Sequence, residues 1–98
     1  MTVITVGSIA IDTERHKVSV DGVEVVFTST EFKLLLILAQ RLGRVQSRQL
    51  LLRDVWGYSY VEDTRTVDTH ITRLRTKMGD AGGLIKTVRG FGYKMEVG

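Results

Sequence analysis

The stretch RTVDTHITRLRTKM, residues 65–78, combines four basic residues, one acid and four threonines with a regular apolar set. Val67, Ile71, Leu74 and Met78 recur at spacings of four, three and four, which places them on one narrow face of a helix. Opposite them fall Arg65, Thr69, Thr72 and Thr76, with Arg73 close beside. Thr66, His70 and Lys77 flank one side, Asp68 and Arg75 the other. Threonine is a mediocre helix former, so its repetition on a solvent face asks for a reason other than propensity. The chemistry such a face can do is recognition of a polyanion. Short side chains let a helix lie deep in the major groove of B-DNA, and arginine is the side chain that pairs bidentately with guanine. A solvated helix that happens to be rich in threonine is the alternative, which the stretch alone leaves open.

Other chemistries have little to stand on. His16 and His70 have no second histidine or cysteine at metal-ligand spacing. Asp68 and His70 are two apart, which on a helix points them in different directions, so they make no catalytic pair. Asp68 instead suits the positive N-terminal end of its helix. The glycines of GDAGG (79–83) and RGFG (89–92) match neither a phosphate loop nor a dinucleotide fingerprint. Cysteine is absent, which removes disulfides, thiolate metal sites and cysteine nucleophiles. The expectation is a binding protein, not an enzyme, with no cofactor and no metal.

The elements that must position this helix are legible as a succession of periods. Val3, Ile4 and Val6, then Ile9 and Ile11, then Val18 and Val20, then Val23, Val25 and Phe27 carry strand patterning. Asp21-Gly22 between the last two runs is a hairpin turn. Thr28 and Glu31 form a capping box, after which Phe32, Leu35, Leu36, Ala39 and Leu42 recur at helical spacing until Gly43. Ser47 caps a second helix running through Leu50, Leu51, Val55 and Trp56 to Gly57. The segment GYSYVED (57–63) is a loop, and the third helix occupies about 64–78. GDAGG reads as a flexible connection. LIKTV and YKMEV, spanning about 85–97, form a hairpin with Arg89 at or near its tip and Gly90 and Gly92 supplying backbone freedom. Sheet, three helices and hairpin make an α+β chain.

At 98 residues and 43% hydrophobic content the chain is one domain, residues 1–98, with one modest core. The net charge of +3 permits a polyanionic partner without requiring one. The longest apolar run, LLLILA at 34–39, is far too short to span a membrane, and Met1 is not followed by a signal-peptide pattern. A cytoplasmic protein is expected. Two helices joined by a turn, the latter basic on its free face, followed by an arginine-tipped hairpin, is a helix-turn-helix with a wing. An arginine on a wing can enter the minor groove, where narrow width strengthens the negative potential. RGFGY at 89–93 also resembles the start of an RNA-recognition motif, in which Phe91 and Tyr93 would stack on bases. That match fails at Lys94, where an apolar residue is needed, and at Glu96, where an aromatic is needed.

The segments TSTEFKLLLILAQRLGRVQSRQLLLRDVWG, VEDTRTVDTHITRLRTKM and IKTVRGFGYKME, in this order, resemble the C-terminal effector domain of OmpR/PhoB-type response regulators of bacterial two-component systems. The resemblance implies a winged helix-turn-helix with an N-terminal four-stranded antiparallel sheet, three helices and a C-terminal β-hairpin wing. It implies transcriptional regulation through double-stranded DNA, commonly as a dimer on direct repeats, the domain alone being a monomer. It also implies a receiver domain in the full-length protein, outside this chain. Carried over by position, Arg73, Thr69 and Thr72 are expected at base edges and Arg89 in the minor groove. Arg65, Thr66, His70, Arg75, Thr87, Tyr93 and Trp56 are expected at the sugar-phosphate backbone, with packing as the alternative role for Trp56 and Tyr93 and pairing with a carboxylate for Arg75. Tyr58, Tyr60 and Glu62 resemble a loop that contacts RNA polymerase in some members, the alternative being a plain connector. A winged helix that binds protein instead of DNA is the competing function.

Overall fold

The computed structural model describes residues 2–57 and 64–97. Four short strands open the chain: β1 (Val3–Val6), β2 (Ile9–Asp12), β3 (Lys17–Val20) and β4 (Val23–Val25). They pair antiparallel in sequential order, with Ile4 opposite Ile11, Ile11 opposite Val18 and Val18 opposite Val25. Alternation therefore puts one β-branched set on the inner face, where Val6, Ile9, Ile11 and Val18 are buried. The Asp21-Gly22 turn has φ of +51° and +80°, the double positive φ that a two-residue type I′ hairpin demands. Phe27, expected to extend the last strand, lies beyond it. It is half-buried, its ring lying 5.6 Å from Lys77 Nζ.

Helix α1 (Ser29–Gln40) begins with the expected capping box. Thr28 Oγ1 accepts from the Glu31 amide at 3.2 Å, and Glu31 Oε1 accepts from the Thr28 amide at 2.9 Å. Two backbone donors at the helix start are thus satisfied. Its inward face is wider than the expected stripe, since Leu34 and Leu38 are fully buried alongside Phe32, Leu35 and Ala39. Leu42 does not belong to it: the helix closes at Gln40 and Leu42 is 46% exposed.

Helix α2 (Arg48–Leu51), capped by Ser47, widens into a π-helical segment, Leu52–Trp56, which Gly57 ends by donating to the Leu52 and Arg53 carbonyls. Helix α3 (Arg65–Met78) buries Val67, Ile71, Leu74 and Met78 as the spacing predicts. These side chains join the sheet's inner face and the apolar faces of α1 and α2 in one core.

The GDAGG connection, expected to be flexible, has regular structure. Residues Gly79–Leu84 form a 3-10 helix with Ala81 and Gly82 buried. A Cβ on Gly82 would lie 2.7 Å from the Arg75 carbonyl oxygen, so the glycine is there to let the segment press against α3. Strands β5 (Ile85–Val88) and β6 (Gly92–Met95) then form the antiparallel hairpin. Among the described residues no helix is long and apolar enough to cross a membrane.

Candidate nucleic-acid interface

The solvent face of α3 is built by its own buried stripe. Because Val67, Ile71, Leu74 and Met78 are locked into the core, the opposite side must face outward, and Arg65, Thr69, Thr72, Arg73 and Thr76 are all exposed. The threonines do not offer free hydroxyl protons. Thr69, Thr72 and Thr76 donate to the carbonyls of Arg65, Asp68 and Thr72, at 3.2, 3.1 and 3.0 Å. What remains outward is a methyl group and oxygen lone pairs, so these positions can accept from a base amine or touch a thymine methyl. Arg73, exposed next to Thr72, has the reach and fork of donors that suit guanine.

One flank of the helix is stiffened by aromatic packing. His70 Nδ1 is 2.8 Å from the Thr66 carbonyl, which only accepts, so Nδ1 carries a proton there and Nε2 is the nitrogen left to face a ligand. The half-buried Trp56 meets the His70 ring edge-on, with centroids 4.9 Å apart and planes at 80°. Trp56, Thr66 and His70 are thus brought together beside the exposed face, with Arg65 one residue earlier.

The other flank is tied to the wing. Arg75 donates to the Ile85 carbonyl through Nη2 at 2.8 Å and Nε at 3.3 Å, and to Thr87 Oγ1 at 2.8 Å. Asp68 accepts from Arg48 Nε at 2.8 Å and from the Tyr93 hydroxyl. Tyr93 is only 5% exposed, and the guanidinium groups of Arg48 and Arg75 lie over its ring, 6.0 and 5.7 Å from the centroid. Burial first, and then the Asp68 carboxylate, hold the phenol protonated above the usual tyrosine range. Arg75, Thr87 and Tyr93 therefore spend these polar groups inside the domain, and the bonds of Arg75 go to a carbonyl and a hydroxyl where pairing with a carboxylate was the alternative expected. For Tyr93 to grip a phosphate its hydroxyl must leave Asp68.

The wing is fastened at its root as well. Gln46 and Tyr93 exchange backbone bonds of 2.7 and 2.9 Å, so the turn before α2 is bridged antiparallel to β6 at this one residue. Gly92 makes this possible: a Cβ there would sit 2.0 Å from the Gln46 carbonyl oxygen. At the far end the Phe91 amide donates to the Val88 carbonyl at 2.9 Å, closing a turn with Arg89 and Gly90 at its centre. Arg89 is exposed at the tip, and Phe91 beside it is 71% exposed. Tyr58, Tyr60 and Glu62 lie outside the described residues.

Two participants had no signal in the sequence. Arg48 pairs with Asp68 from twenty residues away, and Asp68 acts across elements as well as near its helix N-terminus. Neither separation has a period that a linear reading could detect.

The family described as "Transcriptional regulatory protein, C terminal" matches residues 22–95. The transcriptional regulatory protein ResD of Bacillus subtilis is 44% identical over 100 residues, covering 98% of this chain and 42% of that protein. CseB of Streptomyces avermitilis, also a transcriptional regulatory protein, is 49% identical over 94 residues, 96% of this chain and 39% of that protein. This chain thus spans less than half the length of either relative. Among solved structures, the DNA-binding domain of Klebsiella pneumoniae RstA, determined in complex with the RstA box, superposes with a TM-score of 0.87 at 34% identity, covering 98% of each chain.

Proposed function

The chain belongs to the family of C-terminal domains of transcriptional regulatory proteins, the OmpR/PhoB type, and from that premise we propose that it binds double-stranded DNA sequence-specifically as the output domain of a response regulator. The observation that carries the reading is the solvent face of α3, where Arg65, Arg73 and the methyl-bearing threonines stand exposed opposite a fully locked apolar stripe. Helix α3 enters the major groove. Arg73, Thr69 and Thr72 address base edges, and Arg89 at the wing tip enters the adjacent minor groove. Arg65, Thr66, His70 and Trp56 hold the sugar-phosphate backbone on one flank. Arg75 and Thr87 hold it on the other, with Tyr93 packed against Arg75 and its hydroxyl spent on Asp68. Two such domains bind direct repeats as a dimer, under the control of a receiver domain in the longer protein.

The charge arrangement supports this reading. The one acid on α3, Asp68, is turned to Arg48 and Tyr93, and the outer face carries none. Titration of random-sequence duplex at several salt concentrations tests it. Affinity falls with salt because the protein's cations displace counterions condensed on the phosphates, and Arg65→Ala reduces the log–log slope by about one unit while weakening all sequences alike. Absence of binding to any duplex at low salt would favour a protein-binding winged helix instead.

A further inference from the structure

We propose that Asp68 is a positioning residue for the wing, setting the reach of Arg89 without itself touching DNA; this rests on the DNA-binding reading above. Helix α3 sends two side chains to the hairpin from one flank. Asp68 takes the Tyr93 hydroxyl from β6, and Arg75, seven residues later, donates to the Ile85 carbonyl and Thr87 Oγ1 in β5. Seven residues are two turns, so the tethers lie on the same side of the helix, roughly 10 Å apart along its axis. One tether to each strand fixes the angle between hairpin and helix, where a single one would leave a pivot.

Asp68 adds a third element. The same carboxylate oxygen receives Arg48 Nε at 2.8 Å, and Arg48 also lies against the Tyr93 ring. Tyr93 is in turn bonded through its backbone to Gln46, two residues before Arg48. Helix α2, helix α3 and strand β6 therefore converge on one carboxylate. The Arg89 tip lies at the far end of the hairpin that these contacts hold, so a small rotation at Tyr93 becomes a larger displacement at the tip.

The sign of the effect separates positioning from charge. Removing a negative charge beside a DNA-facing helix should, by electrostatics alone, tighten binding to every duplex. Positioning requires the opposite on a selected site. The experiment is a double-mutant cycle on this chain, measuring affinity for a duplex selected from random sequence, with Asp68→Asn and Arg89→Ala singly and together. Asp68→Asn is expected to weaken the selected site about ten-fold when Arg89 is present and less than about two-fold when it is not, because the tip contact that the tether positions is then already gone. Affinity for random duplex stays level or rises. Tyr93→Phe, which removes only the hydroxyl, gives the same pattern and serves if Asp68→Asn does not fold. Equal losses in both backgrounds, or tightening on the selected site, would overturn the proposal while leaving DNA binding in place. A parent chain that binds no duplex would overturn both.

Discussion

Gly92→Ala should be among the most damaging single-methyl changes in the domain, although glycine at a hairpin end is ordinarily replaceable at small cost. Gly92 has φ +151°, and an added Cβ would lie 2.0 Å from the Gln46 carbonyl oxygen, 2.8 Å from its carbon and 2.9 Å from Ser47 Cα. All three atoms are backbone, so no side chain can swing away. The strand must retreat by more than 1 Å (roughly, from contact distances), which breaks the two Gln46–Tyr93 backbone bonds of 2.7 and 2.9 Å. Each is worth about 1 kcal/mol net. Forcing an alanine into this backbone region adds about 1–3 kcal/mol, so the loss is about 3–5 kcal/mol. For a domain of this size that lowers Tm by about 12 °C or more. Urea unfolding followed by circular dichroism measures it, with Gly83→Ala as the control, since nothing lies within 4 Å of a Cβ at Gly83. A loss within about 1 kcal/mol of the control would refute the close-approach argument.

Three further changes probe other parts of the account. Arg73→Ala should cost about 1–3 kcal/mol on a selected duplex and relax preference at one base pair, as a panel of single-base variants would show; equal loss on all sequences would reassign Arg73 to the backbone. Replacing a thymine that faces Thr72 by deoxyuracil should weaken binding about four-fold, the worth of one methyl group, and Thr72→Ser should abolish that difference; no effect of deoxyuracil at any site position would contradict the methyl reading. Lys77→Met should destabilise the fold by about 1–3 kcal/mol, because Lys77 Nζ lies 2.6 Å from Glu31 Oε1 and leaves a buried carboxylate behind. Burial alone would push Glu31 up, but the Lys77 ammonium and the Thr28 amide outweigh it and hold the carboxyl below its usual 4.5. Its stabilisation is therefore complete above that value and lost as pH falls through the lowered one, a loss that acid titration of stability should show shrinking in the variant.

What the sequence made legible was local. Strand alternation, the Asp21-Gly22 turn, the Thr28–Glu31 box and the Val67–Ile71–Leu74–Met78 stripe each express a backbone period or a bond within four residues, and each stands where it was expected. The exposure of Arg65, Thr69, Thr72 and Arg73 followed from that stripe. Contacts between elements were hidden. Gly82 and Gly92 read as freedom because glycine's type is visible and its neighbour is not; in the fold both are demanded by backbone pressing on backbone. The same blindness covers Lys77 with Glu31, forty-six residues apart, and Asp68 with Arg48 and Tyr93. Leu42 was misplaced for a different reason: it keeps the helical period for one residue set after the helix has closed, so pattern outran structure.

Selection of bound sequences from random duplex DNA, followed by titration of the winner against its scrambled form at physiological salt, tests the central claim most directly. The account predicts an enriched motif arranged as direct repeats and bound on the order of a thousand-fold more tightly than the scrambled duplex. A pool that stays unenriched, with equal affinity for both duplexes, would contradict it.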